Sequence, residues 1–238
     1  MPAIKKHDFV EIEYTARIKE DNTVFDTTEE KVAKENGLHE KNSDYSPVVI
    51  CVGENNTLKG LEDQIIGKEA GKEYKFEIDS ENSFGKRNAK LIQLIPTSKF
   101  RQQNIQPIPG LQLNIDGMFG VVKTVSGGRC MVDFNHPLAG KDLVYDVKIK
   151  KIVDDNAEKL KSLLKIHLQL KDAEIEINEK SDAGELVSTS ETRSQLTANI
   201  KSRQNVPKQA QDEFKKIVEH TIPSIKNVVF TILQEKNK

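Results

Sequence analysis

Few residues in this chain are of a type and spacing that could do chemistry. The five histidines, His7, His39, His136, His167 and His220, form no His-x-x-x-His pair, and Cys51 and Cys130 form no Cys-x-x-Cys pair. No metal motif follows from them, and no metal or cofactor is expected. There is no nucleophile–base pair and no glycine-rich phosphate loop. What stands out is a set of aromatic and aliphatic residues with one carboxylate beside it: Tyr14, Phe25, Asp26, Leu58, Leu61, Phe84 and Tyr145. Each also has a plain reading. Tyr14 and Tyr145 alternate in strands and could be core. Asp26-Thr27-Thr28-Glu29 has capping-box spacing, so Asp26 could be a helix N-cap. Leu58 and Leu61 fit the core face of a short amphipathic helix, and Phe84 fits an anchor beside the turn at Gly85.

These residues must be positioned by strands and one short helix. Val10, Ile12, Tyr14, Ala16 and Ile18 alternate with Glu11, Glu13, Thr15 and Arg17, which predicts a strand with one buried face. Asp21-Asn22 is a turn and Val24-Phe25 a short return strand. A helix is expected over Glu30 to Glu35, stopping at Asn36-Gly37, with a polar loop over 38–46. Pro47 to Val52 reads as a buried strand. Leu58, Leu61 and Ile65 recur at helical spacing up to Gly67. Tyr74, Phe76 and Ile78 form a half-buried strand, and the same pattern returns at Leu143, Tyr145, Val147 and Ile149.

Between these repeats lies a segment with strands of its own, at Leu91 to Ile95, Gly117 to Val125 and Cys130 to Phe134. After Val153 the pattern changes again. A helix is expected around Leu160 to Leu168, strands at Ala173 to Ile177 and Leu186 to Thr192, a helix opened by Pro207, and a final strand at Ile225 to Leu233. The fold class is α+β. The domains are read as 1–86 plus 136–153, an inserted small β domain over 87–135, and an α+β domain over 154–238 expected to fold alone.

Composition excludes several functions. With 36 Lys plus Arg against 37 Asp plus Glu, the net charge is −1, without the basic excess of a general nucleic-acid binder. No run approaches the roughly 18 apolar residues that span a bilayer, and the N-terminus lacks the apolar region of a signal peptide. Two distant cysteines make no disulfide framework, so a cytoplasmic chain is expected, with neither nucleic acid nor membrane as partner.

Taken in order, Glu13-Tyr14-Thr15, Val24-Phe25-Asp26-Thr27, Val52-Gly53 through Leu58-Lys59-Gly60-Leu61-Glu62, Ser83-Phe84-Gly85 and Leu143-Val144-Tyr145-Asp146-Val147 resemble the FKBP-type peptidyl-prolyl isomerases. The segment after Phe84-Gly85, closing with Asn135-His136-Pro137-Leu138-Ala139-Gly140, resembles the insert-in-flap domain of the long, SlyD-like branch. The C-terminal domain resembles that of larger archaeal members.

The resemblance implies an antiparallel sheet wrapped on a short helix. Tyr14 and Tyr145 would wall a prolyl pocket that Phe25 helps to close, with Val48 and Ile50 at its side and Leu61 as its floor. The Leu58 N–H would hold a substrate carbonyl, and Asp26 would sit against Tyr14. Thr57 and Leu138 join Phe25, Val48 and Ile50 as substrate contacts. Two positions depart from the family's habit. Leu61 stands where tryptophan is common, as in other long-branch members. Phe84 stands where a tyrosine usually donates a hydrogen bond to ligand. The function implied is prolyl isomerisation with chaperone activity towards unfolded, proline-containing polypeptides. The alternative is a holdase that uses the FKBP domain only to bind peptide. Residues 154–238 are expected to mediate a two-fold dimer.

Overall fold

A computed structural model describes residues 2–115, 117–180 and 195–233. The first elements are β1 (Phe9–Ile18), β2 (Val24–Thr27), α1 (Glu30–Glu35), β3 (Val48–Cys51), α2 (Lys59–Ile65) and β4 (Glu73–Ile78). There follow β5 (Ile92–Pro96), α3 (Thr97–Gln102), β6 (Gln112–Ile115), β7 (Met118–Ser126), β8 (Arg129–Asp133) and β9 (Leu143–Val153). The last are α4 (Asn156–Leu168), β10 (Glu174–Lys180), β11 (Gln195–Ser202), α5 (Lys208–Thr221) and β12 (Ile225–Ile232). This is the α+β class that the alternation predicts. The chain divides into two compact units, one drawn from residues 1–16, 24–76 and 145–238, the other from 17–23 and 77–144.

The sheet that carries the aromatic set runs β2-β1-β9-β4, with β3 also paired to β1. The β1–β3 ladder is antiparallel and sets Val10 opposite Ile50, Ile12 opposite Val48 and Phe9 opposite Cys51. Even-numbered Val10, Ile12, Ala16 and Ile18 of β1 are buried as their alternation requires. The expectation of a single buried face needs correcting, because Phe9 and Thr15 on the other face are buried too. Phe9, only 1% exposed, joins Cys51 in a core completed by Leu160, Leu163 and Leu164 of α4, Ile200 of β11 and Phe214 and Val218 of α5. The segment expected to fold alone therefore shares its core with the first strand and with β3.

Local signals explain the C-terminal elements. Asp155 caps α4 by accepting from the Ala157 and Glu158 N–H groups, each at 3.0 Å. Pro207 stands at the start of α5, whose Phe214 and Val218 turn inward. The sheet is ordered β10-β11-β12, antiparallel between β10 and β11 and parallel between β11 and β12. The strand expected at Leu186 to Thr192 lies outside the described residues. Strand β11, α3 and β6 have no counterpart in the sequence reading. Each is short or sparsely apolar: α3 buries Phe100 alone, and β11 inserts Ala198 and Ile200 among polar neighbours.

The second unit contains the antiparallel sheet β5-β8-β7-β6, built on Ile95, Phe100, Val122, Cys130, Val132 and Phe134. Its two chain crossings are tied together. The Arg87 guanidinium pairs with the buried Asp133 carboxylate. Asn135 donates to Asp133 Oδ1 from its backbone at 3.0 Å and from its side chain at 2.7 Å. Asn88 and Asn135 exchange hydrogen bonds at 2.8 and 3.1 Å.

The shared core is testable. Phe9→Ala removes a fully buried aromatic ring, which costs about 3–5 kcal/mol. Urea unfolding followed by fluorescence and by circular dichroism should show that loss with both probes. A loss below about 1 kcal/mol would mean that Phe9 is not part of the core.

Candidate functional site

The site is built around the backbone of Tyr14. Its N–H donates to Thr28 Oγ1 at 2.9 Å, and its carbonyl accepts from the Thr28 N–H at 3.0 Å and from the Thr27 hydroxyl at 3.1 Å. Thr27 also meets Thr15 hydroxyl to hydroxyl at 2.9 Å. All three threonines are buried. This clamp holds β2 extended through Thr27, so Asp26 lies in a strand. The capping-box reading of Asp26 is thereby overturned: Glu29 occupies the N-cap of α1 without a side-chain bond, and Thr27 Oγ1 accepts from the Glu29 N–H at 3.1 Å.

From that strand Asp26 accepts a 2.7 Å hydrogen bond from the Tyr14 hydroxyl. The Tyr14 and Tyr145 rings lie 5.6 Å apart, tilted by 42°, and Phe25 meets Tyr145 edge-on at 6.1 Å. Tyr145 is buried, and Phe25 and Tyr14 are half-buried. Burial, followed by the nearby Asp26 charge, pushes both phenols well above the usual tyrosine range. Both hydroxyls therefore keep their protons throughout the physiological range. The assembly is an aromatic cluster with one carboxylate beside it.

A second feature escaped the sequence reading. Glu62, on α2 and only 2% exposed, receives three backbone donors: Gly53 at 2.7 Å, Asn55 at 3.1 Å and Thr57 at 2.8 Å. One buried carboxylate thus shapes the whole loop before α2. A buried charge is tolerable when hydrogen bonds satisfy it in this way. In sequence Glu62 is one more charged residue on a short helix, and no local signal marks it as buried.

The loop leads to Leu58 at the N-cap of α2, half-buried and extended at φ −63°, ψ 133°. Leu61 is fully buried beneath. The Thr57 hydroxyl is buried with no hydrogen-bond partner among the described residues. On β3, Ile50 is buried and Val48 half-buried, and Val48 also lines a cavity with Asp44, Pro47, Lys165 and Ile166. Phe84 and Leu138 belong to the second unit. There Phe84 stacks on His136 with ring centroids 4.4 Å apart and planes 3° from parallel. The Leu138 N–H donates to His136 Nδ1 at 3.2 Å.

Known proteins bear on this arrangement. A family profile described as FKBP26, IF domain, matches residues 93–138. Over 155 residues, 65% of the chain, the sequence is 34% identical to a short-type peptidyl-prolyl cis-trans isomerase of Methanocaldococcus jannaschii, covering 98% of that protein. It is 39% identical over 111 residues, 44% of the chain, to a probable FKBP-type 16 kDa peptidyl-prolyl cis-trans isomerase of Pseudomonas fluorescens, covering 73% of it. It is also 28% identical over 134 residues, 55% of the chain, to the FKBP-type isomerase SlyD of Vibrio cholerae, covering 66% of that relative. With the archaeal relative matched over nearly its whole length, the chain belongs to the FKBP-type peptidyl-prolyl cis-trans isomerases and is an enzyme of that class.

Proposed function

We propose that this isomerase acts on prolyl bonds within unfolded polypeptides, with separate surfaces for chemistry and for capture. The observation that carries the catalytic half is the aromatic cluster with the Tyr14–Asp26 bond beside it, which we read as the wall of a prolyl slot. An X-Pro bond rotates over a barrier of roughly 18–20 kcal/mol because twisting breaks amide resonance. The planar amide is the more charge-separated form, and water solvates it well. Moving it into an apolar, aromatic-walled slot removes that solvation and favours the twisted state. No covalent step or proton transfer is needed.

In this mechanism Tyr14 and Tyr145 wall the ring site, Phe25 closes it and Leu61 floors it. Ile50 and Val48 border it. The Leu58 N–H, at a helix start where donors lack intrahelical acceptors, holds the substrate carbonyl, and Thr57 supports that edge. The Asp26 charge biases the twisted carbonyl. Phe84 offers an apolar face without a hydroxyl donor.

The capture half falls to residues 87–135, with the isomerase domain formed by 1–86 and 136–153 and a C-terminal domain by 154–238. Alternation in the β5-β8-β7-β6 sheet puts Ile95, Cys130, Val132 and Val122 on the covered face. It puts Ile92, Leu94 and Phe119 on the other face, where Leu94 is 62% and Phe119 77% exposed. Apolar side chains of this size on an open sheet face suit an extended, unfolded segment. Tethering the client raises its effective concentration at the slot.

The C-terminal domain is assigned to self-association. Strand β12 is the edge of its sheet among the described strands, and it exposes Val229 and Ile232. Pairing such edges across a two-fold axis covers both. Both cysteines are free and buried, and no helix among the described residues is long and apolar enough to cross a membrane. A cytoplasmic setting fits these features.

Three measurements test the proposal. Asp26→Asn removes the charge while leaving the α1 cap untouched. A protease-free prolyl isomerisation assay should show kcat/KM lower by roughly tenfold or more, with unchanged thermal stability. Full activity would remove Asp26 from the mechanism. The pair Leu94→Ser and Phe119→Ser should slow catalysis of proline-limited refolding while short prolyl peptides turn over as before. An equal fall in both activities would mean that the insert only supports the slot. Light scattering should give about twice the 26.8 kDa chain mass and a monomer for Val229→Lys; a monomeric wild type at tens of micromolar would refute the dimer.

A further inference from the structure

Three segments far apart in sequence bring their titratable side chains to one point in the first unit. His7 Nδ1 lies 2.9 Å from Glu54 Oε1, and His220 Nε2 lies 3.2 Å from the same oxygen. The two imidazole rings meet edge to face, with centroids 5.3 Å apart and planes at 89°. The three ligand atoms all fall within 4.8 Å of one another. We propose that His7, Glu54 and His220 form a binding site for a single divalent transition-metal ion, zinc being the species it fits best.

The distances suit that role. Zinc binds imidazole nitrogen and carboxylate oxygen at about 2.0–2.2 Å, so neighbouring ligand atoms on a tetrahedron sit roughly 3.3–3.6 Å apart. The two nitrogen–oxygen separations are already near that edge, and the two nitrogens lie within 4.8 Å of each other, so side-chain rotation alone can close the triangle on an ion. Two imidazoles and one carboxylate form a borderline-soft donor set, suited to zinc, nickel or copper rather than to magnesium or calcium. Three protein ligands leave a fourth position for water.

Each ligand stands on a fixed backbone. His7 adopts φ +69°, an uncommon conformation for histidine, and is held by its N–H bond to the Val52 carbonyl at 2.8 Å. The Asp8 carboxylate closes the same turn by accepting from the Lys5 N–H at 2.7 Å. Glu54 sits in the loop that Glu62 organises through Gly53 and Asn55. His220 occupies the last turn of α5, where the helix dipole favours a cation.

Other donors nearby do not compete. Burial and the neighbouring Glu54 and Glu62 push the Cys51 thiol up to about 12, so it stays protonated. His167 on α4 also lies within reach of the Glu54 charge, which opposes the lowering of its pKa by burial. A bound ion would join the first turn, the loop before α2 and α5, which stand 47 and 166 positions apart along the chain.

The test uses the full-length chain, stripped of metal with a chelator and held under reducing conditions. Zinc chloride titrated against a chromophoric competitor should bind at one equivalent, with affinity on the order of micromolar or tighter, and should raise the melting temperature. His7→Ala, His220→Ala and Glu54→Gln should each weaken zinc by roughly tenfold or more, whereas His39→Ala and His136→Ala should not. Because His220 is 63% exposed, its replacement leaves packing intact, and circular dichroism confirms the fold of each variant. Absence of saturable binding below millimolar zinc, or equal affinity in wild type and the His7→Ala/His220→Ala double variant, overturns the proposal.

Discussion

A slot that acts by taking water away from an amide must keep its own polar groups satisfied, or they draw water back in. The bond from the Tyr14 hydroxyl to Asp26 meets that constraint. It occupies the one polar group of the Tyr14 ring and holds a carboxylate at the rim, where solvent still reaches its outer side. A phenol left unpaired at this depth would cost about 1–3 kcal/mol and would invite a water molecule into the ring site. The bond in turn depends on Thr27 and Thr28, which fix both the N–H and the carbonyl of Tyr14 and so set the direction of its side chain.

The loop before α2 rests on a similar device. The N–H groups of Gly53, Asn55 and Thr57 would otherwise have to turn to solvent, and Glu62 gathers them instead. The cost of burying that carboxylate is offset by three charge-assisted bonds, each stronger than a neutral one. One side chain thereby carries the loop from β3 into α2 and sets Leu58 at the start of that helix. The first unit then continues without a break into the C-terminal elements, because Phe9 and Cys51 close the same core as α4 and α5. That shared core joins β1 and β3 to the C-terminal helices, and within the same unit His7, Glu54 and His220 meet.

What could be read from the sequence follows from how local each signal is. Strands with clean alternation, such as β1, β4 and β9, and a helix with Leu61 and Ile65 at helical spacing are written in consecutive residues. Tyr14, Phe25, Asp26 and Tyr145 were legible because their order and spacing resemble a known family. Asp26 shows the limit. The string Asp-Thr-Thr-Glu is the same whether the first residue caps a helix or ends a strand, and only the threonine clamp from Tyr14 decides. Thr27, Thr28 and Glu62 went unread because their roles lie in contacts made across the fold. Phe9 shares its strand face with Glu11 and Glu13, and its burial comes from α4 and α5, far away in the sequence. The histidine pair shares no spacing that a motif could register, since one member comes from residue 7 and the other from residue 220.

The central claim is that catalysis uses an apolar slot without proton transfer. Tyr14 and Tyr145 have phenols raised above the ordinary tyrosine range, so neither ionises between pH 6 and 9. The direct measurement is kcat/KM for a prolyl peptide across that range in H2O and in D2O, by a protease-free exchange assay. The account predicts a flat profile and nearly equal rates in the two solvents. A bell-shaped profile together with a slowing of about twofold or more in D2O would show a proton in flight and contradict it.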